Sequence, residues 1–145
     1  MASATRPEPG LAALPPTPPV ARLLGAQPLA LDLAQGRLSV AYEATAAFLN
    51  PAGTVQGGML CAMLDDVTAC LLDASLAGEG IVLTLNLNVA FHRPAQPGPL
   101  QAEACFVHRG RRVANLSATL SQDGRVVASA TAVCQIGARG VGASA

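Results

Sequence analysis

Residues 50–76 read NPAGTVQGGMLCAMLDDVTACLLDASL, and this stretch decides the fold. After Gln56-Gly57-Gly58 comes a helical pattern, apolar almost all round, running to Leu76 and ended by the glycines at 78 and 80. A helix of that kind has to be enclosed by other elements. Its middle nevertheless carries two adjacent acids, Asp65 and Asp66. Burying an ionised carboxylate is costly unless it is paired or hydrogen-bonded. Either one side of the helix reaches solvent, or an acid is in use.

Stepping about 100° per residue around the helix, Gly58, Cys61, Ala62, Thr68, Ala69, Leu72 and Leu76 fall on the Asp65 side. Most are small, so a backbone or a ligand can come close there. Asp66 points about 100° away and shares its side with Asp73, as a partly solvated polar edge would. Asp65 has two readings on these grounds: a hydrogen-bonded acid at a packing contact, or a catalytic acid. Gly57-Gly58 likewise serves close packing, or it presents free helix N-terminal N–H groups to a carbonyl or an anion.

A length argument separates the two features. Gly57 and Asp65 are about 12 Å apart along one helix, too far for one small reacting group to touch both. If both act on it, two helices run past each other and the site lies at a dimer interface.

Working outward, residues 29–33 and 37–43 read as a hairpin about Ala34-Gln35-Gly36, and 48–56 as loop broken by Pro51 and Gly53. After the helix, four strands are expected over 81–92, 100–108, 113–122 and 125–136, with Asp123-Gly124 a two-residue hairpin signal. In the first of these, Val82, Thr84, Asn86, Asn88 and Ala90 alternate against Leu83, Leu85, Leu87, Val89 and Phe91. The expected class is α+β, an antiparallel sheet curled around one long helix. Residues 1–19 are a Pro/Ala-rich arm, disordered or extended, 20–26 a short helix, 20–137 a single domain, and 138–145 a flexible tail.

The chain has 145 residues, 51% apolar and 12% charged, with formal net charge +0. Low charge density points to pairing with another copy. The neutral balance argues against nucleic acid as a partner. Every side-chain cation apart from histidine is Arg, with no Lys. Cys61, Cys70, Cys105 and Cys134 form no CxxC pair and lie in apolar runs, which suits reduced core thiols. His92 and His108 stand apart from any cysteine pair, so no metal site is expected. No apolar run has the length of a membrane span and no signal peptide is evident, so a cytoplasmic location is expected.

The run N-x5-QGG-x7-D, followed by TLNLNVAFHRPA and a meander with GRR and DGRVVASATA, resembles the hotdog-fold acyl-CoA thioesterases. The nearest branch is the PaaI-like group, related to 4-hydroxybenzoyl-CoA thioesterase, and the likeness spans about residues 38–136. The resemblance implies that Asp65 is the nucleophile or the general base on water. It implies that the Gly57 N–H polarises the thioester carbonyl, that Asn50 helps hold that carbonyl or the water, and that Thr84 orients the water or the acid. Gln56, Gly58, Cys61, Ala62, Thr68 and Ala69 would line the substrate site. Arg109, Arg111 and Arg112 at the Gly110 turn, with Arg93, would meet the CoA phosphates, although a solvated hairpin tip also explains that cluster. The resemblance further implies homodimers, often paired into tetramers, and no cofactor. One departure stands out: the family usually has His where this chain has Gln56, which can hydrogen-bond but cannot be protonated.

A thioester needs little more than one carboxylate and one oxyanion donor, and no GxSxG elbow is present. Two rival functions remain. A hotdog enoyl-thioester hydratase would use a His/acid pair, but no His lies on the helix or the loop before it. A non-catalytic acyl-CoA binder or sensor would use the same pocket without turnover.

Overall fold

The computed structural model describes residues 10–139. Helix α1 (Pro19–Leu23) leads into β1 (Gln27–Asp32) and β2 (Arg37–Ala44). The long helix α2 (Gly57–Leu76) follows, then β3 (Ile81–Phe91), β4 (Gly98–Arg109), β5 (Val113–Gln122) and β6 (Arg125–Gly137). All pairings are antiparallel, in one six-stranded sheet of order β1-β2-β4-β5-β6-β3. This is the expected α+β hotdog architecture.

The turns explain themselves locally. Asp123 and Gly124 both have positive φ (51° and 74°), as a two-residue type I′ hairpin requires. At the other hairpin Gly36 takes φ 64°, and the Gln35 N–H donates to Asp32 Oδ1 at 2.9 Å. Helix α2 stops where Ala77 turns left-handed at φ 49°, followed by Gly78.

The sheet wraps one side of α2. Met63, Leu64, Val67 and Leu71 are fully buried against it, among Leu38, Leu116 and Leu120. Each such side chain contributes roughly 2 kcal/mol by leaving water. Enclosure is not complete, however. Ala62, Asp65, Ala69 and Asp73 are only half-buried and Gly58 is exposed, so the small-residue side of α2 stays open within one chain.

Strand β3 corrects the simple alternation. Thr84 pairs with Cys134 and Asn86 with Val133, so Leu85 is an extra residue in a bulge. Before the bulge Val82 and Thr84 face the helix; after it Leu87, Val89 and Phe91 do. Each expected face therefore holds for half of the strand. Leu83 and Leu85 are left 50% and 58% exposed.

The arm expected over 1–19 is described only from residue 10. From there it makes a 3-10 turn (Leu11–Ala13) and then runs extended over the protein body, with Leu11 and Leu14 packed on the core. Of the tail expected over 138–145, residues 140–145 lie outside the described part.

Candidate active site

Asp65 and Thr84 are brought together as expected. The Thr84 hydroxyl donates to Asp65 Oδ1 at 2.8 Å, from the last helix-facing position before the bulge. The Cys134 thiol lies 3.9 Å behind Thr84 Oγ1. Asp65 stands half-buried among the small residues of the open helix side, with Ala62 and Ala69 beside it. A carboxylate fixed by a hydroxyl on one oxygen can use the other to attack a carbonyl or take a proton from water.

Asp66 is half-buried and shares the groove side with Asp73, as the partly solvated edge expected from the helix wheel would, but it also has a buried partner that the wheel does not show. The hydroxyl of Tyr42, 1% exposed on β2, donates to Asp66 Oδ2 at 2.6 Å. Burial pushes the Asp66 carboxyl up from its ordinary value, the Tyr42 hydrogen bond pulls it down, and the neighbouring Asp65 charge pushes it up again. Burial and Asp66 together push the Tyr42 phenol far up, which keeps it the donor. The two adjacent acids are thus held by different elements, Asp65 from β3 and Asp66 from β2.

The helix start has the expected free donors. The N–H groups of Met59 and Leu60 turn back to the Gln56 carbonyl, and no partner is found for those of Gly57 and Gly58 among the described residues. No side chain caps this end. Phe91 lies directly over Gly57: a Cβ there would sit 3.1 Å from its ring. Gly57, Phe91, His92 and Arg93 border one shallow hollow. Gln56 is exposed, and its own N–H donates to the Phe48 carbonyl.

Asn50 serves its own loop. Its Oδ1 accepts from the N–H groups of Ala52 and Thr54, and its Nδ2 donates to Thr54 Oγ1 at 2.9 Å. One amide hydrogen is left over. Thr68 is a correction: it is fully buried, and its hydroxyl donates to the carbonyls of Leu64 and Asp65, so it lines no open site. Cys61 is half-buried on the open side, its thiol pushed up by burial first and by Asp65 as well. Cys70 is pushed up to about 12, mainly by burial. Neither is a thiolate near neutrality.

The four arginines do not form one cluster. Arg109 reaches Ser75 near the C-terminus of α2, with Arg111 and Arg112 exposed at the same hairpin tip. Arg93 borders the hollow at the opposite end of α2, about 27 Å away along the axis, and donates to the Val126 carbonyl. Sequence reasoning missed Tyr42, which is distant in the chain, and Phe91, whose facing depends on the bulge. Among the described residues no His/Cys/Asp/Glu cluster could hold a metal ion, and no helix is long and apolar enough to cross a membrane.

Residues 52–129 match the thioesterase superfamily. A phenylacetic acid degradation-related protein from Ralstonia eutropha JMP134 shares 55% identity, over 83% of this chain and 92% of that one, with a TM-score of 0.81. A mutant of the phenylacetic acid degradation protein PaaI from Thermus thermophilus shares 28% identity, over 81% and 98%, with a TM-score of 0.72. The E. coli PaaI protein, at 23% identity over 80% and 82% and a TM-score of 0.72, supports the fold alone. No curated protein matches.

Proposed function

Because this chain belongs to the thioesterase superfamily, we propose that it hydrolyses an acyl-CoA thioester to the free acid and CoA, with Asp65 as the reacting carboxylate in a site completed by a second copy. The observation that carries this is the Thr84–Asp65 pair on the open, small-residue side of α2.

One distance and one unpaired sheet edge support the second copy. The free N–H groups at Gly57 are about 12 Å from Asp65 along the same helix, so one chain cannot bring both to one carbonyl. Strand β3 is an edge strand of 11 residues, with no charge and no proline, and its outer backbone groups are unpaired among the described residues. Such an edge invites pairing. Thr84 stands beside Asp65 and Phe91 beside Gly57. An antiparallel β3–β3 pair with its two-fold near Leu87 and Asn88 sets Thr84 opposite the partner's Phe91. The partner's Gly57 then approaches Asp65.

In that site the Gly57 N–H of one copy polarises the thioester carbonyl. The other copy's Asp65 either attacks the carbonyl carbon, expelling CoA thiolate and leaving an acyl anhydride that water cleaves, or takes a proton from the attacking water. Thr84 holds the carboxylate in aim. Asn50 shapes the loop that leads to the helix start, and Gln56 sits at that start as an uncharged hydrogen-bonding group. Arg93, which shares the hollow with Gly57, is better placed for CoA than the Arg109–Arg112 tip.

CoA release from a panel of acyl-CoAs tests the activity: wild type should turn over, Asp65→Asn should be nearly inactive, and Asp66→Asn should retain most of the rate. Hydration of an enoyl-CoA without CoA release, or tight binding without turnover, would sink the thioesterase reading. Co-expression tests the shared site. Asp65→Asn and Gly57→Val chains should each be inactive, while the mixture recovers about a quarter of the wild-type rate, the share of intact sites in random dimers. No recovery would mean that each site lies within one chain.

A further inference from the structure

We propose that the cleft between α2 and the segment 14–21 receives the acyl group, and that this segment gauges its length. The inference rests on the thioesterase reading, with Asp65 at the reacting carbonyl.

The cleft is a groove of about 480 Å³ with Asp65 in its wall. Its floor is α2 from Ala62 to Asp73, and from Asp65 onward it extends about 12 Å along the helix. Beside Asp65, Asp66 and Asp73 the helix contributes three small side chains there, Ala62, Ala69 and Cys70, and these leave the space. Ile81 and Val82 form the side at the start of β3. Leu14, the prolines at 15, 16 and 18, and Val20 close it from above.

This roof is anchored at both ends. Gly10 lies so close to the Leu31 carbonyl on β1 that any Cβ would collide with it. At the other end Ala21 and Leu24 are buried, and the Leu24 carbonyl accepts from the Glu43 N–H at 3.0 Å. Between these anchors, Arg22 Nη1 donates to the Thr17 carbonyl at 2.7 Å. Prolines fix φ and lack an N–H, so the roof presents a stiff apolar surface to the groove. A roof that cannot give way limits what fits beneath it.

The charges bordering the groove are Asp65, Asp66, Asp73 and Arg139. Three acids against one cation disfavour an acyl group that ends in a carboxylate. The occupant is therefore an uncharged, apolar acyl group of medium length.

The test uses full-length chains and ratios of kcat/KM across butanoyl-, hexanoyl-, octanoyl-, palmitoyl- and adipoyl-CoA. Wild type should prefer hexanoyl- over adipoyl-CoA, which differ in the terminal carboxylate, and octanoyl- over palmitoyl-CoA. Ala69→Leu fills the floor and should lower the octanoyl-to-butanoyl ratio about tenfold, the scale of a methylene or two in a pocket. Leu14→Ala lifts the roof and should raise the palmitoyl-to-octanoyl ratio. Ratios are insensitive to a uniform loss of folded protein. If wild type cleaves these substrates while both variants keep its ratios, the acyl group lies elsewhere and only the cleft proposal falls. Equal use of adipoyl- and hexanoyl-CoA would overturn the charge argument and the assigned occupant. If wild type cleaves no acyl-CoA at all, the thioesterase reading falls first and the cleft with it.

Discussion

Replacing Thr84 by Val removes one hydroxyl and little else. Valine keeps the branched shape that suits a strand, so β3 should stay in register. What is lost is the 2.8 Å hydrogen bond to Asp65 Oδ1. A hydrogen bond to a charged group is worth about 1.5–3 kcal/mol. Thr84 is exposed, so water competes for the carboxylate and the low end applies. About 1.4 kcal/mol corresponds to a tenfold change in rate. In a steady-state assay of CoA release, kcat for Thr84→Val should fall about tenfold with KM little changed. Thr84→Ser, which keeps the donor, should stay near wild type. Asp65→Asn should fall much further than either. A Val variant with wild-type kcat, or a Ser variant as slow as the Val variant, would refute the claim that this hydroxyl aims the acid.

Further perturbations probe the neighbouring elements. Burial raises the Asp66 carboxyl, so just above the ordinary carboxylate range the folded chain holds a proton that the unfolded chain has lost, and stability falls as pH rises through that window. Asp66→Asn still accepts from Tyr42 and should flatten this part of the unfolding free energy against pH; a wild-type slope in the variant would disprove the origin. Tyr42→Phe leaves Asp66 without its donor and should cost about 1–3 kcal/mol in chemical denaturation, whereas a neutral result would mean water replaces the hydroxyl freely. Gly57→Ala sets a methyl 3.1 Å from the Phe91 ring and should lower kcat/KM, with Phe91→Ala restoring stability but not the ring's cover; full activity in Gly57→Ala would show that no substrate approaches that backbone. Asn88→Lys brings like charges together across the expected two-fold, so sedimentation should report monomers and CoA release should collapse; an intact, active dimer would place the two-fold elsewhere.

The helix was legible because its period, its glycine start and its glycine stop are all local. So were the hairpins, where Asp123-Gly124 states its own geometry. Strand β3 was half legible: an alternation can be counted from sequence, but the extra residue at Leu85 reverses its phase midway and leaves no mark in composition. Asp65 stood out because its surroundings on the helix are small. The state of Asp66 was hidden because Tyr42 reaches it across 24 residues of chain, and a helical wheel carries no tertiary partners. Thr68 fell on the chosen side by angle, yet its hydroxyl turned inward to helix carbonyls, a choice the wheel cannot express. The turn that gathers Arg109, Arg111 and Arg112 was legible because it is local, but their distance from Arg93 was not, because it depends on which end of α2 each strand end meets.

If the uncharged edges of β3 pair as proposed, catalysis becomes a matter of mass action. A site divided between two copies exists only in the fraction of chains that have met. Dilution below the dissociation constant of the pair would remove sites without harming any single chain, and specific activity would decline although every molecule remained folded. Substrate bound across the junction would pull the equilibrium back toward the pair. Melting temperature, specific activity and tolerance of dilution should therefore rise together with protein concentration.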